Sequence, residues 1–211
     1  MRQPLDRATI KAESEARLRK LGLAVNPALP LLEDDDELTP VTAEQVARRL
    51  LVVVQVIGLG FEAPAESLRA YLREHGLWED LSNRERAMLE AEEPSEQDRI
   101  DATWLTEATQ VLVWCLGKRE LDPFVHFDDD LPDELPADED VGAFITSASL
   151  RDRDEILREA DFHYRLHWAA RNARSVGNGP RVSESIVRER RRALDWVLGT
   201  ESDWDEVPLG T

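Results

Sequence analysis

With one cysteine, Cys115, the chain cannot form an internal disulfide, and this excludes a small fold held by covalent cross-links. The lone thiol sits in an apolar run, which points to a reducing, cytoplasmic setting. Long hydrophobic runs are also missing. The greasiest stretch, LLVVVQVIGLGF at 50–61, is too short to span a bilayer and is broken by Gln55, so no membrane partner is expected. MRQPLDRATIKAE carries charge where a secretory signal needs an apolar centre. No alternating apolar pattern signals a sheet, and no nucleophile elbow, phosphate-binding glycine loop or cysteine dyad signals an enzyme class.

Acid, by contrast, is abundant: 44 Asp and Glu against 26 Lys and Arg, a net charge of −18. The excess is local. EDDDE (33–37), FDDDLPDELPADED (127–140) and ESDWDE (201–206) hold 17 of the acids and no base, leaving 27 acids against 26 bases elsewhere. Acidity is therefore a property of connections and tail. Such loops repel phosphate backbones, which speaks against nucleic acid as a partner despite RERRR at 188–192, and solvated loops of this kind also keep a protein soluble.

Of the 211 residues 42% are hydrophobic, enough for one packed domain. Helical periodicity and caps predict helices near 5–21, 42–57, 64–75, 82–93, 95–117, 149–175 and 183–198. Thr42 with Gln45 and Ser82 with Glu85 form capping boxes, Ser95 and Ser149 open the two longest helices, and Gly22, Gly76 and Gly117 mark ends. The prolines of LAVNPALPLLEDDDELTP favour an extended crossing segment. VGAFITSAS (141–149) reads either as a short strand or as a packed turn. The expected architecture is all-α: one bundle of about six or seven helices over residues 1–211, with an extended N-terminal crossing segment, an acidic central loop at 119–140 and an acidic tail at 200–211.

Projected at about 100° per residue, several polar residues fall on apolar faces. His163 and His167 share the inner side of the 153–175 helix with Ile156 and Ala160, whereas Arg158, Asp161, Arg165 and Asn172 fall opposite. Glu107 lies on an otherwise apolar cylinder that includes Ile100, Trp104 and Trp114. Arg190 sits in the stripe of the last helix, with Asp195 pointing elsewhere, and Arg49 lies beside Val53 and Val56. Unpaired burial of a charge costs several kcal/mol. Glu107 should therefore meet Arg190 or Arg49, with the histidines hydrogen-bonded nearby, so that Glu107, His163, His167, Arg190 and Arg49 form a candidate buried polar cluster or ligand site.

No metal and no cofactor is expected. HYRLH (163–167) lacks the Glu after the first His that a zincin helix uses, and the acidic loop lacks the spacing of an EF-hand. No catalytic residue is assigned, although Glu107 with either histidine could do acid–base work if the site opened to solvent. The tryptophans on the long helices read as core. Trp204, in the acidic tail, and Asp128, Asp129 and Asp130, in the central loop, are candidate interaction residues.

WLTEATQVLVWCLGK (104–118), DFHYRLHWAARNA (161–173) and ERRRALDWVLG with DWDEV (189–207) occur in this order, beside AESEARLRKLGLAVNPALP and EQVARRL near the N-terminus. Together they resemble the uncharacterised bacterial family known as domain of unknown function 4272. By that resemblance Arg49, Trp104, Glu107, Trp114, Gly117, Arg165, Trp168, Arg190, Trp196 and Trp204 match motif positions. The family implies no reaction, cofactor or substrate. The expected role is a non-catalytic module that binds another protein, as an immunity or accessory factor. Its rivals are an enzyme or small-ligand binder using the Glu/His/Arg cluster, and an acidic nucleic-acid mimic.

Overall fold

The computed structural model describes residues 6–126, 131–175 and 182–211, and among these the regular structure is helical throughout. Eight α-helices follow in order: α1 (Arg7–Lys20), α2 (Ala43–Gly60), α3 (Ala65–Glu74), α4 (Asn83–Glu90), α5 (Glu96–Cys115), α6 (Val141–Thr146), α7 (Arg153–Ser175) and α8 (Glu184–Leu198). The all-α expectation holds, and none of the described helices is long and apolar enough to cross a membrane.

Local chemistry sets most of the ends. Both capping boxes form, and Ser95 makes a third with Asp98. Gly22, Gly76 and Gly117 adopt positive φ where their helices stop. Two readings need correction. VGAFIT is a short helix, neither strand nor turn, because Val141 and Ile145, one turn apart, bury together against α2. The longest helix begins at Arg153, since Asp152 and not Ser149 accepts the first amides: its Oδ1 takes the N–H of Asp154 and its carbonyl that of Ile156.

α5 packs between α2 and α8, and α7 packs between α8 and α1. The interior is filled by residues such as Val46, Leu50, Val53, Val111, Leu112 and Leu194, while Leu18, Phe162, Leu166, Val182 and Val187 form a smaller cluster beneath α1. The N-terminal crossing segment returns along this bundle. Its Thr39 and Val41 amides donate to the carbonyls of Gly199 and Val197 at 3.2 Å. Gly199 ends α8 at φ 77°, where an added Cβ would stand 1.8 Å from the carbonyl oxygen of Thr39, so only glycine permits this approach.

α7 departs from a two-faced helix. Asp161 and Arg165, assigned to its outer side, are as buried as the histidines, because the crossing segment covers that side as well. Conversely Ile100 and Trp104, expected in the core, lie at 44% and 39% exposure on the first half of α5. Asp195, read as outward-facing, is buried on α8 beside Arg191.

Candidate functional site

Glu107 and Arg190 meet across α5 and α8: Nε and Nη2 of Arg190 each stand 2.9 Å from Oε2 of Glu107. The guanidinium does not stop there. Its Nη1 donates to the carbonyl of Asp122 at 2.6 Å and its Nη2 to that of Val125, so one buried ion pair holds the first arm of the central loop. Arg49 takes a different acid. It pairs with Glu85, the residue that also closes the capping box of α4, and Nη1 donates to the carbonyl of Asp80 at 3.1 Å.

The histidines also find separate partners. Nδ1 of His163 lies 3.0 Å from the Glu159 carbonyl and 3.2 Å from Oε1 of the same residue. The carbonyl takes the hydrogen bond, and Oε1 is buried without one. Arg17 reaches the other oxygen of Glu159 at 2.6 Å. Burial works to raise the Glu159 pKa, but His163 and Arg17 outweigh it and hold the group at about 2. Nδ1 of His167 lies 3.4 Å from Nη1 of Arg191. Burial, reinforced by the positive charge of Arg191, lowers His167 to about 4 and keeps it neutral at physiological pH. The expected single cluster is therefore several clamps on different pairs of elements.

These clamps share a construction. Arg165 grips Asp161 through two 2.8 Å bonds and reaches the Pro30 carbonyl at 2.9 Å. Arg191 bonds Asp195 at 3.0 Å and donates to the carbonyl of Gly210 at 2.8 Å. Arg7 pairs with Asp35 and bonds the Glu33 carbonyl at 2.9 Å, and Arg151 pairs with Glu120 and bonds the carbonyls of Trp114 and Arg119. In each case a carboxylate balances the charge and orients the guanidinium, and the remaining N–H groups are spent on carbonyls lying largely in helix ends and connections. Those carbonyls lie at or under the surface and need donors once water is removed. Arginine has five donors in a planar fork and stays charged, so one side chain can serve a carboxylate and two carbonyls, which lysine cannot match in geometry.

Arg191 was hidden in a run that reads simply as basic, and the spacing of Asp161 with Arg165 was visible but placed on the wrong face. Trp204 belongs to the same fastening. Its ring is buried edge-on to Trp196 at 5.5 Å with the Arg49 guanidinium 4.3 Å above it, so it anchors the tail to the bundle. Asp128, Asp129 and Asp130 lie outside the described residues.

Three surface cavities adjoin these elements. One of about 250 Å³ lies between the crossing segment and the tail, lined by Glu33, Tyr164, Arg191, Asp195, Thr200 and Pro208. There burial pushes Asp195 up to about 7 against the pull of Arg191. A second, of about 390 Å³, is bounded by Arg49, Ser82, Trp196 and Trp204. A third, of about 320 Å³, lies between α5 and the start of α8. None of these three is lined by Glu107, His163, His167 or Arg190. Among the described residues, groups spaced to hold a metal reduce to the exposed acids Asp34, Asp36 and Glu37.

The sequence model of one family, the domain of unknown function DUF4272, matches residues 10–207, and the chain belongs to that family. No curated protein and no solved structure matches it.

Proposed function

We propose that this DUF4272 protein is a non-catalytic, cytoplasmic interaction module that displays acidic segments to a partner protein with a basic surface. The observation that carries the reading is where the buried arginines attach. Arg7 fastens the backbone of Glu33, the first residue of EDDDE, Arg190 fastens Asp122 and Val125 ahead of the central acidic run, and Arg191 fastens the tail at Gly210 beyond ESDWDE. Loops that served only solubility would need no such anchorage, since burying an ion pair is at best weakly favourable. The described carboxylates of 33–37 and 201–206, held in place by these anchors, present a defined field that steers a basic partner and lowers the ordering entropy lost on binding.

What supports this over an enzyme or ligand site built on Glu107 is that Glu107, His163, His167 and Arg190 are almost wholly buried and Arg190 is committed to loop backbone. The test is capture from the native cell with the intact protein and with a variant carrying Asp34→Asn, Asp36→Asn, Glu37→Gln, Asp128→Asn, Asp129→Asn and Asp130→Asn. The reading expects a protein partner whose binding weakens with salt and is lost in the neutralised variant. A partner retained at equal affinity by that variant refutes it, as does competition by duplex DNA for the partner's DNA-binding surface, which would mark a nucleic-acid mimic.

A further inference from the structure

The cavity between the crossing segment and the tail has a buried floor and an exposed rim. Arg191 and Asp195 of α8 form the floor, and Leu31, Glu33 and Pro208 stand around the mouth. Its donors are committed. Arg191 gives Nε to Oδ2 of Asp195 at 3.0 Å and Nη1 to the Gly210 carbonyl at 2.8 Å, and its longer contacts are the Pro208 carbonyl and Nδ1 of His167. Thr200 donates its hydroxyl proton to the Asp195 carbonyl at 3.1 Å and keeps only the capacity to accept.

Acceptors, by contrast, are left over. Oδ1 of Asp195 takes no hydrogen bond among the described residues, although the residue is only 6% exposed and lines the cavity. Glu33 offers its backbone carbonyl to Arg7, but its carboxylate has no ion pair or hydrogen bond among the described residues. Two carboxylates thus share one guanidinium in the lining. They also feel each other: burial most of all raises the Asp195 pKa, Arg191 pulls it down, and the charge of Glu33 pushes it up again. A site in that condition is short of positive charge. Asp34, Asp36 and Glu37, all exposed, continue the run beyond Glu33 and draw cations toward the mouth. Pro30, Pro208 and Leu31, the last 47% exposed, supply apolar surface for an aliphatic stem. At about 250 Å³ the cavity is smaller than the about 300 to 1,000 Å³ usual for a whole small molecule, and it suits one side chain.

We infer that this cavity receives one arginine side chain of the basic partner, its guanidinium between Asp195 and Glu33 and its stem along Leu31 and Pro208. The inference rests on the reading of this protein as an acidic interaction module and adds the point of insertion. A guanidinium suits the site because its planar fork presents five donors to acceptors on several sides and stays charged as it leaves water.

The experiment is a nuclear magnetic resonance titration of the intact protein with Nα-acetyl-arginine N-methylamide and, separately, with its citrulline counterpart, equal in shape and uncharged. Salt is held at about 0.15 M, where a screening length of about 8 Å removes most of the long-range field of the acidic runs. The arginine compound should shift the amides of Tyr164, Asp195 and Thr200 saturably, with a dissociation constant of about 1 mM. The citrulline compound should bind at least about tenfold more weakly, for want of charge-assisted contacts. Asp195→Asn should weaken the arginine compound about tenfold and Glu33→Gln about threefold. Asp195 also holds Arg191 and through it the tail, whereas the Glu33 side chain is exposed and bonded to no described residue, so Glu33→Gln probes the site with the fold intact. The combined change Asp34→Asn, Asp36→Asn and Glu37→Gln should leave the constant within about twofold. No saturation up to about 10 mM overturns the insertion site and leaves the acidic-module reading to its own capture test. Equal binding of the citrulline compound, an arginine affinity unmoved by both Glu33→Gln and Asp195→Asn, or an equal loss in the Asp34, Asp36 and Glu37 variant overturns it as well.

Discussion

Replacing Glu107 by Gln removes the charge that balances Arg190 while nearly preserving shape. The guanidinium, 1% exposed, keeps its bonds to the Asp122 and Val125 carbonyls but loses its counter-ion, a situation that costs about 3 to 5 kcal/mol. Against a total stability of roughly 5 to 15 kcal/mol the protein should still fold. With a urea slope of about 2 kcal/mol/M, the unfolding midpoint followed by tryptophan fluorescence should fall by about 2 M. The double variant Glu107→Leu with Arg190→Met removes both charges and leaves the Asp122 and Val125 carbonyls short of a donor, at about 2 kcal/mol, less than the single change. A midpoint shift for Glu107→Gln below about 0.5 M, or a double-variant loss equal to the sum of the two single losses, refutes the reasoning that charge balance inside the bundle governs this site.

His167 supplies a pH test. Its folded pKa, about 4, lies below the unfolded value near 6.5, so folded and unfolded forms are both neutral above 6.5, and stability falls as pH drops from there to about 4, then levels off. Allowing for screening, the drop should be roughly 2 kcal/mol, and chemical denaturation between pH 7 and 4 should show it shrinking in His167→Gln; equal pH slopes in both proteins would count against it. At Gly199, substitution by Ala forces both a left-handed conformation and a backbone clash with Thr39. Thermal unfolding should register a loss of about 2 to 4 kcal/mol, whereas Gly142→Ala, where an added Cβ meets nothing, should be within about 0.5 kcal/mol of the parent.

Much of the fold was legible because caps and periodicity act locally. Thr42 and Ser82 announce their helices by the residue three places on, Ser95 announces its helix as a capping residue, and Gly22, Gly76 and Gly117 announce the ends. Helix α6 was not legible, since six residues hold too few turns to show a period and only packing against α2 decides its conformation. The inward position of Glu107, Arg190, Arg49 and both histidines followed from helix projection, and the pairing of Glu107 with either Arg190 or Arg49 followed from the cost of leaving it alone, whereas the choice of Arg190 came only with the fold. Their dispersal into separate clamps did not follow, because it depends on Glu85, Glu159 and the carbonyls of irregular segments, whose positions no periodicity encodes. The same ignorance misplaced Asp161 and Arg165: a helix covered by a crossing segment on one side and by helices on the other has no outer face to find. Ile100 and Trp104 erred in the opposite sense, as apolar residues one turn apart that the described elements leave exposed.

Hydrogen exchange in Arg190→Lys tests most directly whether buried arginines hold the connections in place. Lysine keeps the positive charge beside Glu107 but loses the fork that reaches two carbonyls. Amides of residues 121–126 should lose protection while those in the middle of α5 and α8 keep theirs. Unchanged protection at 121–126, or equal loss across α5 and α8, would contradict the account.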